Sequence, residues 1–486
     1  MTTKSSAQTT SIPPLVIRSA IVASLGGLLF GFDTAVISGA EEKLTELYAL
    51  SSMGEGMIVA IATIGTICGA IVAGKLADRF GRKPILFWIG ILFGVGALAT
   101  ALAPVPTLNP VEGGKFVAAS SFPIAFFMLF RFLGGIGVGL SSVVAPIYTA
   151  EIAPARVRGR LVGLVQFNIV FGILLAYASN AIIREIVHQD VAWRWMLGVM
   201  AVPAVFFLIF LATVPETPRW LLAHGHEERA VKISERLTST QEESAEQIGE
   251  IKTQIAEDAA GGKVAFFTRR YRKVILMAFC IAMFNQLSGI NAILYYAPKV
   301  MKLAGGEQVL GPAFPYVASV IVGLMNLIAT MAALTVIDKL GRRQLMIVGS
   351  IGYLVSLGFL AGMMFAYEGR ASVQNSAVPV WLILIGLLAF IASHAFGQGS
   401  VIWVFISEIF PNRVRARPVA GLAHTLGLRL HYHLRVPGPH GTARRRLRVR
   451  YLLPRDGRSA ILGPEGDARN QGHPARRNGR ETGVDE

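Results

Sequence analysis

The chain has 486 residues, 53% of them hydrophobic and only 16% charged, and its mean hydropathy is +0.53. Soluble domains carry about 25% charged residues, so this composition excludes a water-soluble globular protein and points to an integral membrane protein with little mass outside the bilayer. The net charge of +16 fits basic residues gathered on cytoplasmic loops rather than a nucleic-acid partner.

Crossing the hydrocarbon takes about 20 apolar residues. Ten runs qualify: 16–38, 57–77, 84–103, 122–144, 161–182, 194–214, 273–297, 314–337, 344–366 and 379–407. They are continuous rather than alternating, which predicts helices and not a β-barrel. The polar residues 1–15 lead straight into the first run, without the pattern of a cleavable signal. Cys68 and Cys280 fall inside apolar runs; they read as small buried hydrophobes, not as a disulfide.

Asp33 lies in Gly31-Phe-Asp-Thr-Ala-Val-Ile-Ser-Gly39, within the first span. A carboxylate at that depth is costly and is a functional candidate by default. Arg131, early in the fourth span, is its natural partner. Two roles stand for the pair: a proton site, or a static link between helices.

Between spans two and three runs Asp78-Arg-Phe-Gly-Arg-Lys83. Its Gly81 permits a tight turn between antiparallel helices, and its cations can lie against the carbonyl ends of neighbouring helices. Span four ends in Glu151-Ile-Ala-Pro-Ala-Arg-Val-Arg-Gly-Arg160. Pro154 interrupts the helix between Glu151 and Arg158, so Glu151 is expected to pair with a basic residue of another loop. The loop 39–56 carries Glu41, Glu42, Glu46 and Glu55 against Lys43 alone, whereas basic residues crowd the alternate loops. That asymmetry puts the N-terminus in the cytoplasm.

Residues 215–272 form a long polar segment, rich in Glu, Gln, Lys and Ala from His224 to Glu257. It reads as cytoplasmic helices joining two bundles, 16–214 and 273–417. The second bundle repeats the first. Asp338-Lys-Leu-Gly-Arg-Arg343 answers the Asp78 turn 260 residues on, and Glu408-Ile-Phe-Pro-Asn-Arg-Val-Arg-Ala-Arg417 answers the Glu151 phrase 257 residues on. Two motifs repeated in order at nearly one offset mark an internal duplication, as in transporters built from repeated halves. Ion pairs of Asp78, Arg82, Glu151 and Arg158, and of Asp338, Arg342, Glu408 and Arg415, are expected to close the cytoplasmic side as a gate.

Composition changes at Pro418. Residues 418–486 hold thirteen Arg, no Lys and five of the nine His, with no run long enough to span. The duplication calls for six spans per half, and the second half has four. A shifted reading frame near Arg417 accounts for this: permitted codons read one frame over give Gly-Gln-Ser-Leu-Gly-Ser-Leu-Thr-His-Trp, a fitting start for an eleventh span. The tail reads as aberrant and disordered.

Together these motifs resemble the sugar porter family of the major facilitator superfamily. The resemblance rests on Gly74-Lys-Leu-Ala-Asp-Arg-Phe-Gly-Arg-Lys83, Arg131-Phe-Leu-Gly-Gly-Ile-Gly-Val-Gly139, the Glu151 phrase, Pro215-Glu-Thr-Pro-Arg-Trp220, Gln286-Leu-Ser-Gly-Ile-Asn-Ala-Ile-Leu-Tyr-Tyr296, and the Asp338 and Glu408 motifs. It covers residues 16 to 417. It implies an all-α membrane fold of two pseudo-repeated six-helix bundles, and transport of a monosaccharide by alternating access across the inner or plasma membrane. It implies no enzyme activity, no cofactor, no metal and no nucleic acid, and a monomer as the simplest state. An Asp in the Asp33 motif is the proton site of proton-coupled members, which implies symport.

A sugar has many hydroxyls, so its site needs neutral amides, which donate and accept together, and an aromatic face. Gln166 in span five, Asn285, Gln286 and Asn291 in span seven, Asn326 in span eight, and Gly399 and Trp403 in span ten are the candidates. For each amide a helix–helix hydrogen bond is the alternative. Gln286 and Asn291 are offset on an ideal helix, and a break around Ser288-Gly289 would bring them together. Tyr295 and Tyr296 read either as an outer gate or as interfacial anchors.

Three departures from the family matter. Asn285 stands where Gln is common. Ile173 replaces a Gln of the bacterial xylose–proton symporter, which favours a hexose. The missing eleventh span removes a polar pocket residue, so the chain as written is expected to be compromised in stability or transport. A sugar uniporter and a non-transporting sugar sensor remain the alternatives.

Overall fold

The computed structural model describes residues 12–111, 115–118, 120–154, 156–260, 271–367 and 376–402. The candidates Trp403, Glu408 and Arg415, and the tail 418–486, lie outside the described residues.

Ten helical segments among the described residues are long and apolar enough to cross a membrane. The first half supplies six: α1 (Pro14–Leu47), α2 (Ser52–Phe80), α3 (Arg82–Ala101), α4 (Phe122–Ile152), α5 (Arg158–Ile186), and a sixth made of α6 (Gln189–Gly198) and α7 (Ala201–Ala212). A linker follows, with α8 (Pro218–Ala223), α9 (Glu227–Leu237) and α10 (Gln241–Ala260). The seventh span is α11 (Arg272–Leu287) with α12 (Ile290–Leu303), and the short α13 (Gly306–Leu310) comes next. The rest are α14 (Phe314–Leu340), α15 (Arg342–Tyr367) and α16 (Ala377–His394), which continues as a π-helical turn over Ala395–Gly399.

Local chemistry sets the ends. Pro14 starts α1, where a missing N–H costs nothing. The Ser51 hydroxyl accepts from the Gly54 N–H to cap α2. Gly81, at φ 103°, lets the chain reverse directly into α3. Its counterpart Gly341, at φ 81°, does the same between α14 and α15.

Hydropathy places the spans better than it places their ends. The first helix runs nine residues past position 38, carrying Glu41 and Glu42 onto its final turns. Nothing in that sequence breaks a helix, and the apolar window cannot see a helix leaving the membrane. A two-stranded hairpin, β1 (Leu108–Val111) with β2 (Lys115–Ala118), fills part of the loop before α4; its antiparallel register pairs Leu108 with Ala118.

Within the first half, α1 packs along α5 and α2 along α4. Glycine makes both crossings close. A Cβ at Gly31 would stand 1.8 Å from the Ile169 carbonyl oxygen, and one at Gly135 would stand 2.1 Å from that of Ala62. Small residues are how helices approach in lipid, where burial of apolar area supplies little drive. The opposite faces stay apolar and uncovered: Ile186, Leu354 and Phe365 are each at least 75% exposed, as a lipid-facing surface requires. That surface corrects one expectation. Cys68 is exposed and Cys280 half-buried, both as free thiols, because an apolar run in a membrane protein does not tell a lipid-facing position from a core one.

Candidate functional site

Asp33 and Arg131 meet in the interior of the first half. Arg131 Nη1 donates to Asp33 Oδ1 at 2.7 Å, and the two side chains are 5% and 6% exposed. The pair borders a cavity of about 10 Å³, lined also by Thr100, Phe130 and Gly134. That is about the space needed to admit one water. The carboxylate faces a full opposite charge in the protein interior, the condition in which a buried pair is costly to break. Arg131 reaches it from the start of the glycine-rich stretch of α4 that packs on α2.

The amides come from four helices, α5, α11, α12 and α14. Between α11 and α12 the helix breaks at Ser288 and Gly289, with Gly289 in the left-handed region at φ 86°. The break carries the Asn291 side chain to Gln286, where Nδ2 donates to Oε1 at 2.8 Å. Beside them Asn285 is buried at 7% exposure, and its Oδ1 has no hydrogen-bond partner among the described residues. An unpaired buried carbonyl oxygen is an acceptor awaiting a donor. Asn326 is buried on α14. Gln166 is half-buried on α5, one turn before the Ile169 contact with Gly31. Helices α5 and α14 touch where Gly323 meets Leu174 and Tyr177. The Tyr177 hydroxyl donates to the Leu294 carbonyl of α12 at 2.6 Å. Ile173 is buried. Gly399 closes the π-helical turn, its Cα facing the His394 ring.

The Asp78 and Glu151 motifs form a knot within the first half. Arg82 Nη2 donates to Glu151 Oε1 at 2.9 Å and lies 3.1 Å from Asp78 Oδ1, while Nη1 donates to the Ala77 carbonyl. Glu151 thus pairs with a cation from another loop. Arg158 is exposed at the start of α5. In the second half Arg342 pairs with Asp338 at 2.9 Å and donates to the Ile337 carbonyl, copying Arg82. The described Arg82–Glu151, Arg82–Asp78 and Arg342–Asp338 pairs each lie within one half.

Sequence reasoning missed the linker's share in this knot. Thr217 Oγ1 donates to Glu151 Oε2 at 2.6 Å. Glu216 accepts from the backbone N–H of Lys83 at 2.9 Å and of Thr217 at 2.7 Å, sealing the N-terminus of α3. Burial pushes the Glu216 carboxyl above its ordinary range, opposed by those backbone donors and by Arg82. Trp220 Nε1 donates to the Asp78 carbonyl, and the Tyr148 hydroxyl to that of Pro215. The signal was the Pro215-Glu-Thr-Pro-Arg-Trp220 motif, whose partners only the fold reveals.

The opposite end of the molecule holds charges that the motifs did not predict. Lys299 Nζ lies 2.5 Å from Glu55 Oε1 and 3.3 Å from Glu41 Oε1. Lys302 Nζ lies 2.5 Å from Glu42 Oε2 and 3.4 Å from Glu307 Oε2. The pairs with Glu41, Glu42 and Glu55 join α12 to α1 and α2, across the two halves, and the Glu307 pair stays within the second half.

Residues 19–425 match the family described as sugar (and other) transporters. The arabinose–proton symporter of Bacillus subtilis is 35% identical over 412 residues, covering 84% of this chain and 82% of that protein. The D-xylose–proton symporter of Escherichia coli is 36% identical over 416 residues, covering 82% and 80%. In structure, the E. coli xylose transporter in a partially occluded inward-open conformation superposes with a TM-score of 0.70 at 32% identity, covering 85% of this chain and 91% of that one.

Proposed function

Because the chain belongs to this family of sugar transporters, and has the major facilitator fold in a multi-pass plasma-membrane protein, we propose that it carries a monosaccharide inward together with a proton. The two halves rock about a central sugar site. The cytoplasm is on the side of the Asp78 and Asp338 turns and of the N-terminus, as the loop charges require.

One observation carries the symport reading: the buried Asp33–Arg131 ion pair at 2.7 Å. Protonation of Asp33 releases Arg131, and loss of the proton restores the pair, so two states of one bond differ by one proton. Gln166, Asn285, Gln286, Asn291 and Asn326 hold the sugar hydroxyls, with Gly399 giving close approach and Trp403 a stacking face. The two relatives named above carry pentoses, arabinose and xylose, which supports a monosaccharide; Ile173 favours a hexose instead. The conformation fits the cycle, since the described contacts between halves lie on the side away from the Asp78 turn. The protein works as a monomer.

The test is uptake of radiolabelled glucose, xylose, galactose and arabinose in transporter-deficient cells, with and without a protonophore. The chain is compared with a version restored in frame after codon 417, once that codon has been resequenced. Uptake of one sugar that the protonophore collapses is the expected result. Uptake indifferent to the protonophore assigns a uniporter, and saturable binding without uptake by either version assigns a sensor.

A further inference from the structure

Among the described spans one histidine occurs, His394 in the tenth. An ionisable ring inside the bilayer is rare and is a functional candidate by default, yet neither the proton pair nor the sugar amides use it. His394 is 8% exposed, and its Nδ1 is hydrogen-bonded to the hydroxyl of Tyr353 on α15, which is also 8% exposed. Glycine brings the two helices close enough for that contact. A Cβ at Gly349 would stand 2.8 Å from the Gly397 Cα, and one at Gly352 would stand 2.2 Å from Ser393 Oγ. The Tyr353 ring stacks on Phe390, one turn before His394, with centroids 5.3 Å apart. This packing fixes both rings against each other.

The pair lies between two pieces of the candidate sugar site. On one side, the π-helical turn starts just after His394 and ends at Gly399, where an added Cβ would stand 3.0 Å from the His394 ring. Such turns inside α-helices gather at functional sites. On the other side, the Tyr353 hydroxyl neighbours that of Ser288, the residue that ends α11 at the break before α12. Ser288 Oγ donates to the Asn285 carbonyl at 2.6 Å. A hydroxyl has one proton to give, so toward Tyr353 Ser288 can only accept. A polar chain thus runs from Asn285 through Ser288 and Tyr353 to His394.

We propose that His394 is a positioning residue for the sugar site: through Tyr353 and Ser288 it fixes the break of the seventh span, so that Gln286 and Asn291 face the sugar in register with Gly399. The inference rests on the sugar-site reading above. A bond that only tied α15 to α16 would end at Tyr353. This one continues to the residue at the break, with Gln286 just before it and Asn291 just after. Those two amides meet at 2.8 Å only because the helix is broken there. Their geometry therefore depends on whatever holds Ser288, and Tyr353 is held in turn by His394. Side chains that place binding groups without touching the ligand set how well the site is preorganised.

The experiment uses the purified full chain and measures equilibrium binding of radiolabelled glucose, xylose, galactose and arabinose, each alone. His394→Phe and Tyr353→Phe should each weaken binding of the preferred sugar roughly threefold, as loss of one hydrogen bond between membrane helices implies. The double variant should be no weaker than either single one, because all three lack the same bond. His394→Gln, whose amide can meet the Tyr353 hydroxyl, should stay near the parent. A second readout needs no sugar. With Cys68 and Cys280 changed to Ser, maleimide labelling of an Asn291→Cys reporter should rise by a similar factor in both Phe variants, since a loosened break uncovers that position. Melting is followed in parallel. Affinity and labelling that stay unchanged overturn the proposal whatever the melting temperature does, because the pair is then a static link. Losses that add in the double variant also overturn it. A parent that binds none of the four sugars, while its labelling responds as stated, refutes the sugar-site reading and leaves the positioning role standing.

Discussion

Replacing Asp33 with Asn keeps the shape of the proton pair and removes its charge. In the native protein Arg131 Nη1 and Asp33 Oδ1 are 2.7 Å apart, with both side chains at 6% exposure or less. Removing one member of a buried pair costs about 3–5 kcal/mol; the amide oxygen still accepts from Arg131, so the loss should fall at or below the lower end of that range. Asp33→Asn is therefore expected to fold. The functional consequence is larger. A single carboxylate exchanges a single proton, and one pH unit is worth about 1.4 kcal/mol, so coupled transport can concentrate sugar at most about tenfold per unit of pH gradient. The assay is accumulation in proteoliposomes under an imposed gradient, beside counterflow at equal pH. The native protein should approach the tenfold limit, and Asp33→Asn should reach only equality of inside and outside while counterflow persists. Accumulation by the variant would sink the reasoning, since the proton would have to ride elsewhere. A native ratio near a hundredfold would also refute it, because two protons would then move.

Three further outcomes follow from the geometry. Glu151→Gln keeps contacts to Arg82 and Thr217 but removes the charge that strengthens both; it should cost about 1–2 kcal/mol and shift the balance between inward- and outward-facing labelling, and unchanged transport kinetics with unchanged labelling refutes the role. Gly31→Val drives a side chain into the Ile169 backbone and should abolish the folded peak in detergent chromatography, whereas Gly74→Ala, with no atom within 4 Å of the new Cβ, should leave it intact. For Glu216 the sign is set by burial, which raises its pKa above the ordinary 4.5. A carboxyl raised on folding contributes stability that is full below the unfolded value and is lost as pH rises through the folded one. Melting of the native protein should therefore fall relative to Glu216→Gln as pH rises above 4.5, and melting curves that stay parallel would count against the assignment.

The sequence carried the fold because a membrane reads hydropathy almost directly. Each span must satisfy its own backbone and present about 20 apolar residues, so ten spans and their order needed no tertiary information. The repeated Asp78/Asp338 and Glu151/Glu408 motifs carried the two-half plan, and together with the Arg131, Pro215 and Gln286 motifs they led to the family. The carboxylate of Asp33 announced itself for the same physical reason, since a charge in an apolar run is too costly to be idle. The Ser288-Gly289 break was legible as a possibility, from glycine and from the mismatch between a five-residue spacing and the helical turn.

What tertiary structure decided was which charge meets which. Glu151 could have paired with any of the basic residues on its side, and only packing chose Arg82 and brought Thr217 from the linker. Glu41, Glu42 and Glu55 looked like solvated loop acids, yet Lys299 and Lys302 reach them from more than 240 residues away. Cys68 turned outward and Asn285 inward with nothing local to say so. Hydropathy is a property of one segment against lipid, whereas an ion pair or a buried amide is a property of two segments against each other, and no single stretch of chain encodes that.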